Sequence, residues 1–379
     1  MKQREIILDM GKAAFLVLAV KVMASTSVLV PWNSTVDNLC ILFALSVVLI
    51  KVCTLTLTLT KLISLASVAL MVLYTCVSIG QYDLLISLIA VCLLINEDIN
   101  EYISLLLRTQ LSVLAAHIVL ATVLSLTGLE ERYWTMTNGR LRFYGGFSHA
   151  NVLSSYITSC MLMFAWTHFG AITKNQWGWM SLVTVLSYVL SRSRTGLLLN
   201  ILLLFLVYFA QKGNRLMLDN IKPVLLVSFP LLAAFVYWAT RQYLNNSGAA
   251  VFLNDLMTGR IKYAAYAFAR SGTTWLPRYL DYAESGRVAW TPEWNLNTFT
   301  FDNLYSFCFV QLGIVWIVLF SVLLALLCLR SGYKERVFAL LWVLFAIVEV
   351  HGLNGFRFFP ILLFSTLFSR EGADDEPDG

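Results

Sequence analysis

Residues 37–53 read DNLCILFALSVVLIKVC, and the stretch from 39 to 50 carries no charged residue. The run is continuous and rich in Leu, Ile and Val, without the alternation of apolar and polar residues that marks a transmembrane β-strand. A continuous apolar run of about this length is typical of a helix that crosses a bilayer. The stretch therefore predicts a membrane-spanning α-helix.

Similar runs recur along the whole chain of 379 residues. Apolar residues make up 59% of the chain and charged residues 13%, whereas an ordinary soluble domain has roughly 25% charged residues. The mean hydropathy is +0.73. This composition excludes a soluble globular protein and a disordered one, and the recurrence of the runs excludes a single-pass receptor. We expect an all-α, polytopic membrane helical bundle of about 12 transmembrane helices, at residues 12–30, 37–53, 61–80, 83–96, 107–128, 149–169, 177–191, 195–211, 221–239, 304–329, 335–350 and 356–369.

The domain organisation follows from these runs. We expect a single integral membrane domain over residues 1–379, with a large external loop at 241–302 between the ninth and tenth helices. The loop is rich in aromatic residues, which argues against disorder, and its stretch 259–270 predicts an amphipathic helix lying on the membrane surface. Residues 371–379 carry acidic residues and no base, which predicts a disordered acidic cytoplasmic tail without a site.

Lys and Arg predict the orientation, because short cytoplasmic loops are enriched in these residues. With both termini in the cytoplasm, fourteen Lys and Arg lie inside and six lie in short outer loops. Most of the outer bases, including those of the large loop, are Arg. Arg binds phosphate through a planar fork, whereas Lys offers a point charge. The pattern indicates either contact with lipid headgroups or an outer site for a phosphate-bearing substrate.

The first polar cluster on the outer side is GRLRFYGGFSHAN, residues 139–151. It contains Arg140, Arg142, His149 and Asn151 and leads into the sixth predicted helix. Its glycines permit close backbone approach, and helix N-terminal amides favour an anion. The cluster predicts an anion-binding turn, and a plain glycine-containing turn is the alternative.

The second cluster is SRSRTG, residues 191–196, between the seventh and eighth predicted helices. Arg192 and Arg194 lie there close to the membrane plane, where a charge is costly and usually has a partner. Adjacent hydroxyls and a glycine favour a phosphate-binding turn over simple contact with headgroups.

Two further clusters lie at outer helix ends. One contains Asp302, Asn303 and Tyr305 at the start of the tenth predicted helix, and the other contains His351 in the last outer turn. His149 and His351 are candidate bases because histidine titrates near neutral pH, with a hydrogen-bonded structural role as the alternative.

Other polar residues carry less information about function. The seven cysteines lie in or at the edge of apolar runs, and none pairs at metal-ligand spacing, so we expect small buried residues and no disulfide framework. Lys21 lies inside the first predicted helix, where we expect it to snorkel or to pair with an acid.

Four sequence elements in order, over residues 140–314, resemble the O-antigen polymerase and ligase superfamily. Arg140 with GFSHAN at 146–151 resembles its R…GxFxHPN element, with Ala where Pro is usual. SRSRT at 191–195 is similar to its S-x-SRT turn, and LMTGR at 256–260 to a segment of its large external loop. DNLY at 302–305, followed by GI at 313–314, is similar to its (H/D)N-x-Y/F…G-I element.

The resemblance implies a glycosyltransferase of the bacterial plasma membrane, with a fold like that of the helical membrane-embedded (GT-C-like) enzymes and an active site on the outer face. Such polymerases join undecaprenyl-pyrophosphate-linked oligosaccharides into O-antigen, capsular or exopolysaccharide without a metal or a nucleotide. Expected partners are the lipid bilayer, this lipid-linked substrate, and a chain-length regulator and flippase of the same pathway, with no nucleic acid. Arg140, Arg194 and Arg260 would bind the pyrophosphate, and Arg142 and Arg192 are second candidates.

Ligase-like members have a His where this chain has Asp302, which favours a polymerase. Asp302 is the first candidate for the general base and His149 the second, and a carboxylate in this role needs partial burial to raise its pKa. Asn151, Asn303, Tyr305 and His351 complete the expected substrate-binding set. An O-antigen ligase that transfers glycan to lipid A-core, and a lipid-linked oligosaccharide flippase or other transporter, remain alternatives.

Overall fold

A computed structural model describes residues 2–129, 133–135, 141–213, 215–257, 259–291, 294 and 296–369. Arg140, the predicted tail 371–379 and Thr258 of the 256–260 element lie outside the described residues. Within the described ranges the chain is mostly helical, as expected for an all-α membrane protein. Its only strands there form two short antiparallel hairpins.

Most of the apolar runs contain an α-helix, whereas the last predicted helix, 356–369, contains a 3-10 segment at Phe359–Leu367. In chain order the α-helices are α1 Lys2–Ala24, α2 Ser34–Thr54, α3 Leu59–Ile79, α4 Tyr82–Leu94, α5 Ile99–Leu126, α6 Ala150–Thr167, α7 Lys174–Ser191, α8 Arg194–Gln211, α9 Arg215–Leu244, α10 Gly248–Leu256, α11 Arg260–Ser271, α12 Asp281–Ser285, α13 Leu304–Phe307, α14 Ile314–Arg330 and α15 Tyr333–Phe345. The strands are β1 Tyr133–Thr135, β2 Leu141–Phe143, β3 Arg287–Thr291 and β4 Leu296–Thr298.

Among the described residues, five helices are long and apolar enough to cross a membrane. They are Ser34–Thr54, Leu59–Ile79, Ile99–Leu126, Arg194–Gln211 and the Asn220–Leu244 part of α9. Two further apolar helices, α4 and α14, are shorter. The predicted class of membrane protein is thus supported, and the number of twelve helices stays a prediction.

The chain divides into two compact units, of which unit 1 comprises Met1–Lys61, Ile86–Leu218 and Gly355–Gly379. In unit 1, α1 packs against α2 and α5, and α6 packs against α5, α7 and α8. Facing side chains from these helices form its core, and Ala14, Phe15, Leu18 and Ala19 on α1 are fully buried.

Two lysines are buried in the apolar helices of unit 1, and each has an acidic partner. Lys21 lies 3.2 Å from Asp37, which confirms the predicted pairing with an acid. The Lys51 ammonium donates to Glu97 at 2.6 Å and to the carbonyl of Leu93 in the last turn of α4. The partners and the negative end of a helix compensate the cost of burying these charges.

Unit 2 comprises Leu62–Leu85 and Asp219–Asn354. The tenth predicted helix, 304–329, is broken here, because a π-helical turn at Cys308–Leu312 follows α13 and ends at Gly313. Gly313 has φ 96° and ψ 151°, a backbone conformation that only glycine adopts readily. The chain therefore changes direction at Gly313 before α14 begins.

The predicted external loop is folded around its own aromatic core. Tyr266, Tyr282, Val288, Leu296 and Phe299 are buried together there. Helix α11 confirms the amphipathic helix predicted at 259–270. Its apolar side chains pack into this core, and its predicted position on the membrane surface stays a prediction.

Candidate functional site

Unit 1 brings together the two basic clusters at 139–151 and 191–196. The Arg142 side chain, on β2, is only 7% exposed. Its Nε donates to the carbonyl of Ser191 at 2.6 Å, and its Nη2 donates to Oδ1 of Asn151 at 2.5 Å. One buried guanidinium thus joins the hairpin to the end of α7 and the first turn of α6.

His149 is the N-terminal cap of α6, and its ring nitrogen Nδ1 accepts a hydrogen bond from the amide of Asn151 at 3.1 Å. An Nδ1 that accepts carries no proton, so the neutral ring has its proton on Nε2. Burial, and secondarily the charge of Arg142, lowers the pKa of His149 below its usual value. In this arrangement neither ring nitrogen of His149 has an available lone pair to act as a base.

The glycine turn before α6 is held by the segment that follows α1 and by His117 of α5. Val28 donates its amide to the carbonyl of Gly146, and Ser148 donates its amide to that of Thr26. His117 contacts the Gly145 carbonyl through Nδ1 and the Ser27 hydroxyl through Nε2. Its contacts are therefore structural ones that position the turn.

The turn between α7 and α8 presents two exposed cations. Arg192 has φ 53°, a left-handed conformation that is uncommon for a residue other than glycine. Ser193 caps α8 by accepting from the amide of Gly196, and Arg194 is the first residue of that helix. Both arginine side chains are exposed, so an anion can reach them and the positive end of α8.

Helices α6, α7 and α8, which pack against one another, contain a group of buried polar side chains that sequence reasoning missed. Among the described residues, the hydroxyls of Ser154, Thr158 and Ser187 and both amide atoms of Asn200 have no hydrogen-bond partner. Gly196 permits the close packing here, because a Cβ at this position would lie 2.2 Å from the Ser154 hydroxyl. The four-residue spacing within α6 and within α8 is a helical signal that could have revealed the group.

Unit 2 contains a second basic group, centred on Arg260 at the start of α11. Its Nε donates to the carbonyl of Val348 at 3.0 Å and its Nη1 to that of Met257 at 3.3 Å. Its Nη2 lies 3.7 Å from Glu349. Glu349 was not among the predicted site residues, although it lies two positions before His351 in the same turn.

Asp302 lies in the electrostatic field of Arg260. Burial raises the pKa of the Asp302 carboxyl, and the positive charge of Arg260 and a hydrogen bond from Thr300 partly offset this effect. Burial, together with the charge of Asp302, likewise raises the pKa of the Tyr263 hydroxyl. The result is a carboxylate that accepts protons more readily than a fully exposed one and that feels the positive charge of Arg260.

Two of the predicted binding residues have roles within the fold of unit 2. Asn303 caps α13 by accepting from the amide of Ser306 at 2.7 Å. The Tyr305 side chain is fully buried, and its hydroxyl donates to the carbonyl of Val343 at 2.9 Å. Both residues lie within three positions of Asp302 in the sequence. Their side chains are nevertheless buried and bond to other parts of the fold. His351 begins a short 3-10 turn two residues after Glu349.

Within the described part of the chain, no group of three or more His, Cys, Asp or Glu is arranged to hold a metal ion. Comparisons of the chain with protein families, with curated proteins and with solved structures gave no match. The chemistry of the two basic groups is therefore the basis for a functional proposal.

Proposed function

We propose that this chain is a membrane-embedded glycosyltransferase that joins undecaprenyl-pyrophosphate-linked oligosaccharide repeat units into a polysaccharide. The observation that carries the proposal is a partly buried carboxylate, Asp302, whose pKa burial raises and the positive charge of Arg260 lowers. Both residues belong to motifs that the sequence singled out independently, and they are separated by 42 positions in the chain.

The transfer needs a base for the acceptor and a cation for the leaving group. The bond between the anomeric carbon of the donor sugar and the pyrophosphate oxygen breaks, and the acceptor hydroxyl oxygen bonds to that carbon. Asp302 takes the proton of this hydroxyl, which typically contributes 10²–10⁴-fold to a rate. Arg260 stabilises the charge that develops on the pyrophosphate, and such electrostatic stabilisation is usually the larger effect.

Glu349 and the carbonyl of Val348 hold Arg260 in one orientation. A fixed guanidinium loses little side-chain entropy when the pyrophosphate binds, which favours catalysis by preorganised charge. We therefore assign Glu349 a positioning role.

The basic group of unit 1 supports a polymerase in particular. Exposed Arg192 and Arg194 and the N-terminus of α8 together form a set of donors and positive charge suited to a phosphate. A polymerase handles two lipid pyrophosphates, one on the donor and one on the acceptor. Two basic groups, one in each unit, match this requirement.

The remaining details of the proposal come from the resemblance of the motifs. They are about twelve transmembrane helices in a GT-C-like fold, a bacterial plasma membrane location with cytoplasmic termini and an outer active site, and a chain-length regulator and flippase as partners. Arg140, Asn151 and His351 stay candidates for substrate binding.

The test uses the purified chain in nanodiscs with lipid-linked repeat units isolated from a strain that lacks it. We expect native protein to give a ladder of longer chains and Asp302→Asn to lose elongation by about 10²–10⁴-fold. Asp281→Asn, which changes an exposed acid of the same loop, is the matched control and should elongate normally. Near-normal elongation by Asp302→Asn would exclude Asp302 as the base.

The acceptor separates this function from its alternatives. A ligase would transfer glycan to lipid A-core and not to a second repeat unit, so both acceptors are supplied in parallel reactions. A flippase would form no new glycosidic bond with either acceptor and would instead move the lipid-linked unit across the bilayer. Absence of product with repeat units alone would therefore overturn the polymerase.

A further inference from the structure

Residues 272–279, GTTWLPRY, form a segment of unit 2 that we call the strap. Its backbone is bonded to both sides of the break at Gly313. Thr274 donates its amide to the carbonyl of Phe309, and Ile314 donates back to the carbonyl of Thr274, each at 2.9 Å. Val315 donates to the carbonyl of Trp275 at 3.2 Å. The strap thus satisfies amides in the first turn of α14, which a helix leaves without a partner of its own.

Arg278 holds the strap in one conformation. Its guanidinium donates to the carbonyls of Val310, Ser271 and Gly272. Its own amide donates to the carbonyl of Gln311 at 3.0 Å. These bonds join the strap to Ser271 at the end of α11 and to Val310 and Gln311 just before Gly313. The strap is therefore a rigid element of the fold.

This rigid segment nevertheless exposes large apolar side chains. Trp275 is 74% exposed, Leu276 50% and Tyr279 56%, whereas Pro277 between them is buried. The bonds of the strap keep these side chains directed outward, and a cluster of exposed apolar residues usually marks an interaction surface.

The apolar surface continues along α14. Val318, Val322, Leu326 and Leu329 are exposed, and their spacing of four, four and three residues puts them in one stripe along the helix. The opposite side of α14 is buried. Val315, which bonds to Trp275, precedes Val318 by three residues, so the strap lies at the end of this stripe.

Helix α14 is short for a membrane-spanning helix, and the strap lies next to its first turn. Its 17 residues rise about 26 Å at 1.5 Å per residue, somewhat less than the roughly 30 Å thickness of the hydrocarbon core. A short helix needs additional apolar surface at one end or a thinner bilayer. Trp and Tyr are the side chains best suited to the boundary between lipid and water, because each combines an apolar ring with a polar group.

We infer that the strap is a membrane contact in which Trp275, Leu276 and Tyr279 insert into the interface of the bilayer and extend the lipid-facing surface of α14. The partner is the lipid itself. The inference depends on the membrane class of the chain and not on the proposed polymerase activity.

Photo-crosslinking in nanodiscs tests the contact. The crosslinker p-benzoylphenylalanine replaces Trp275 or Leu276, and it replaces Asp281, whose side chain is 77% exposed, as the control. The bilayer contains phosphatidylethanolamine and phosphatidylglycerol, and mass spectrometry identifies the adducts. We expect lipid adducts at 275 and 276 and far fewer at 281. Equal yields at all three positions, or capture of a second copy of the chain at 275, would overturn the inference.

Bilayer thickness provides a second measurement. The double variant Trp275→Ser/Leu276→Ser is compared with native protein in short-chain dimyristoleoyl and long-chain dierucoyl phosphatidylcholine. If the strap extends α14, the variant loses thermal stability in the long-chain bilayer and little in the short-chain one. An equal loss in both bilayers would contradict the role in matching thickness.

Discussion

Gly313 is the residue at which the predicted tenth helix breaks, and Gly313→Ala tests why. A Cβ at this position would lie 2.5 Å from the carbonyl oxygen of Trp275 and 2.8 Å from the carbonyl carbon of Leu276. These are backbone atoms, held by hydrogen bonds to the start of α14, so no side-chain rotation relieves the overlap. The substitution must either move the strap or change the path of the chain.

The expected cost has two parts. A residue other than glycine in the conformation with φ 96° costs of order 1–3 kcal/mol. Moving the strap breaks the bonds from Ile314 and Val315, each worth about 0.5–1.5 kcal/mol net. Together they lower the free energy of unfolding by roughly 2–6 kcal/mol, which is a large effect for a single substitution.

Thermal unfolding monitored with a thiol-reactive fluorophore measures this loss, because Cys92, Cys160, Cys308 and Cys328 are buried and react only on unfolding. The control is Gly178→Ala in α7, where a Cβ would meet no atom within 4 Å. This control should be neutral or slightly stabilising, since Ala favours a helix over Gly. A Gly313→Ala protein that melts with the native protein would refute the reasoning.

Two further predictions concern unit 1. Because the folded pKa of His149 is lowered, its contribution to stability is present above the unfolded pKa of about 6.5 and is lost as the pH falls. His149→Asn keeps a capping side chain without the titration, so its melting temperature should fall less on acidification than that of native protein. An unchanged pH dependence in the variant would contradict this assignment. Gly196→Ala should lower the melting temperature through overlap with Ser154, and adding Ser154→Ala should restore it, because the other nearby atoms lie 3.5 Å away. A double variant as unstable as the single one would show that the overlap is not the cause.

The class of the fold could be predicted from local sequence alone. Continuous apolar runs such as 37–53 indicate helices in a membrane whatever their neighbours are, because backbone groups in lipid must be bonded within the segment. The prediction was less successful where one residue alters the backbone path. The run 304–329 is apolar throughout, yet Gly313 breaks it, since the cost of breaking the helix depends on contacts with the strap.

For the candidate site, too, the sequence indicates which residues are involved but not the environment of their side chains. The residue types and their order pointed to Arg142, Arg260 and Asp302, and the presence of Glu349 near His351 was visible in the sequence. Which of these side chains are buried, paired or exposed was not visible. Arg142 and Arg192 are similar in sequence context, and only the fold makes one a buried hydrogen-bond donor and the other an exposed cation.

By itself, the sequence determined that the chain is a helical membrane protein with Arg-rich polar turns at helix ends, because hydropathy and charge are properties of each segment alone. The tertiary structure decided which turns meet, which tautomer His149 adopts and how Asp302 titrates. These properties depend on atoms from segments that are distant in the chain, where burial and neighbouring charges alter the free energy of each ionised group.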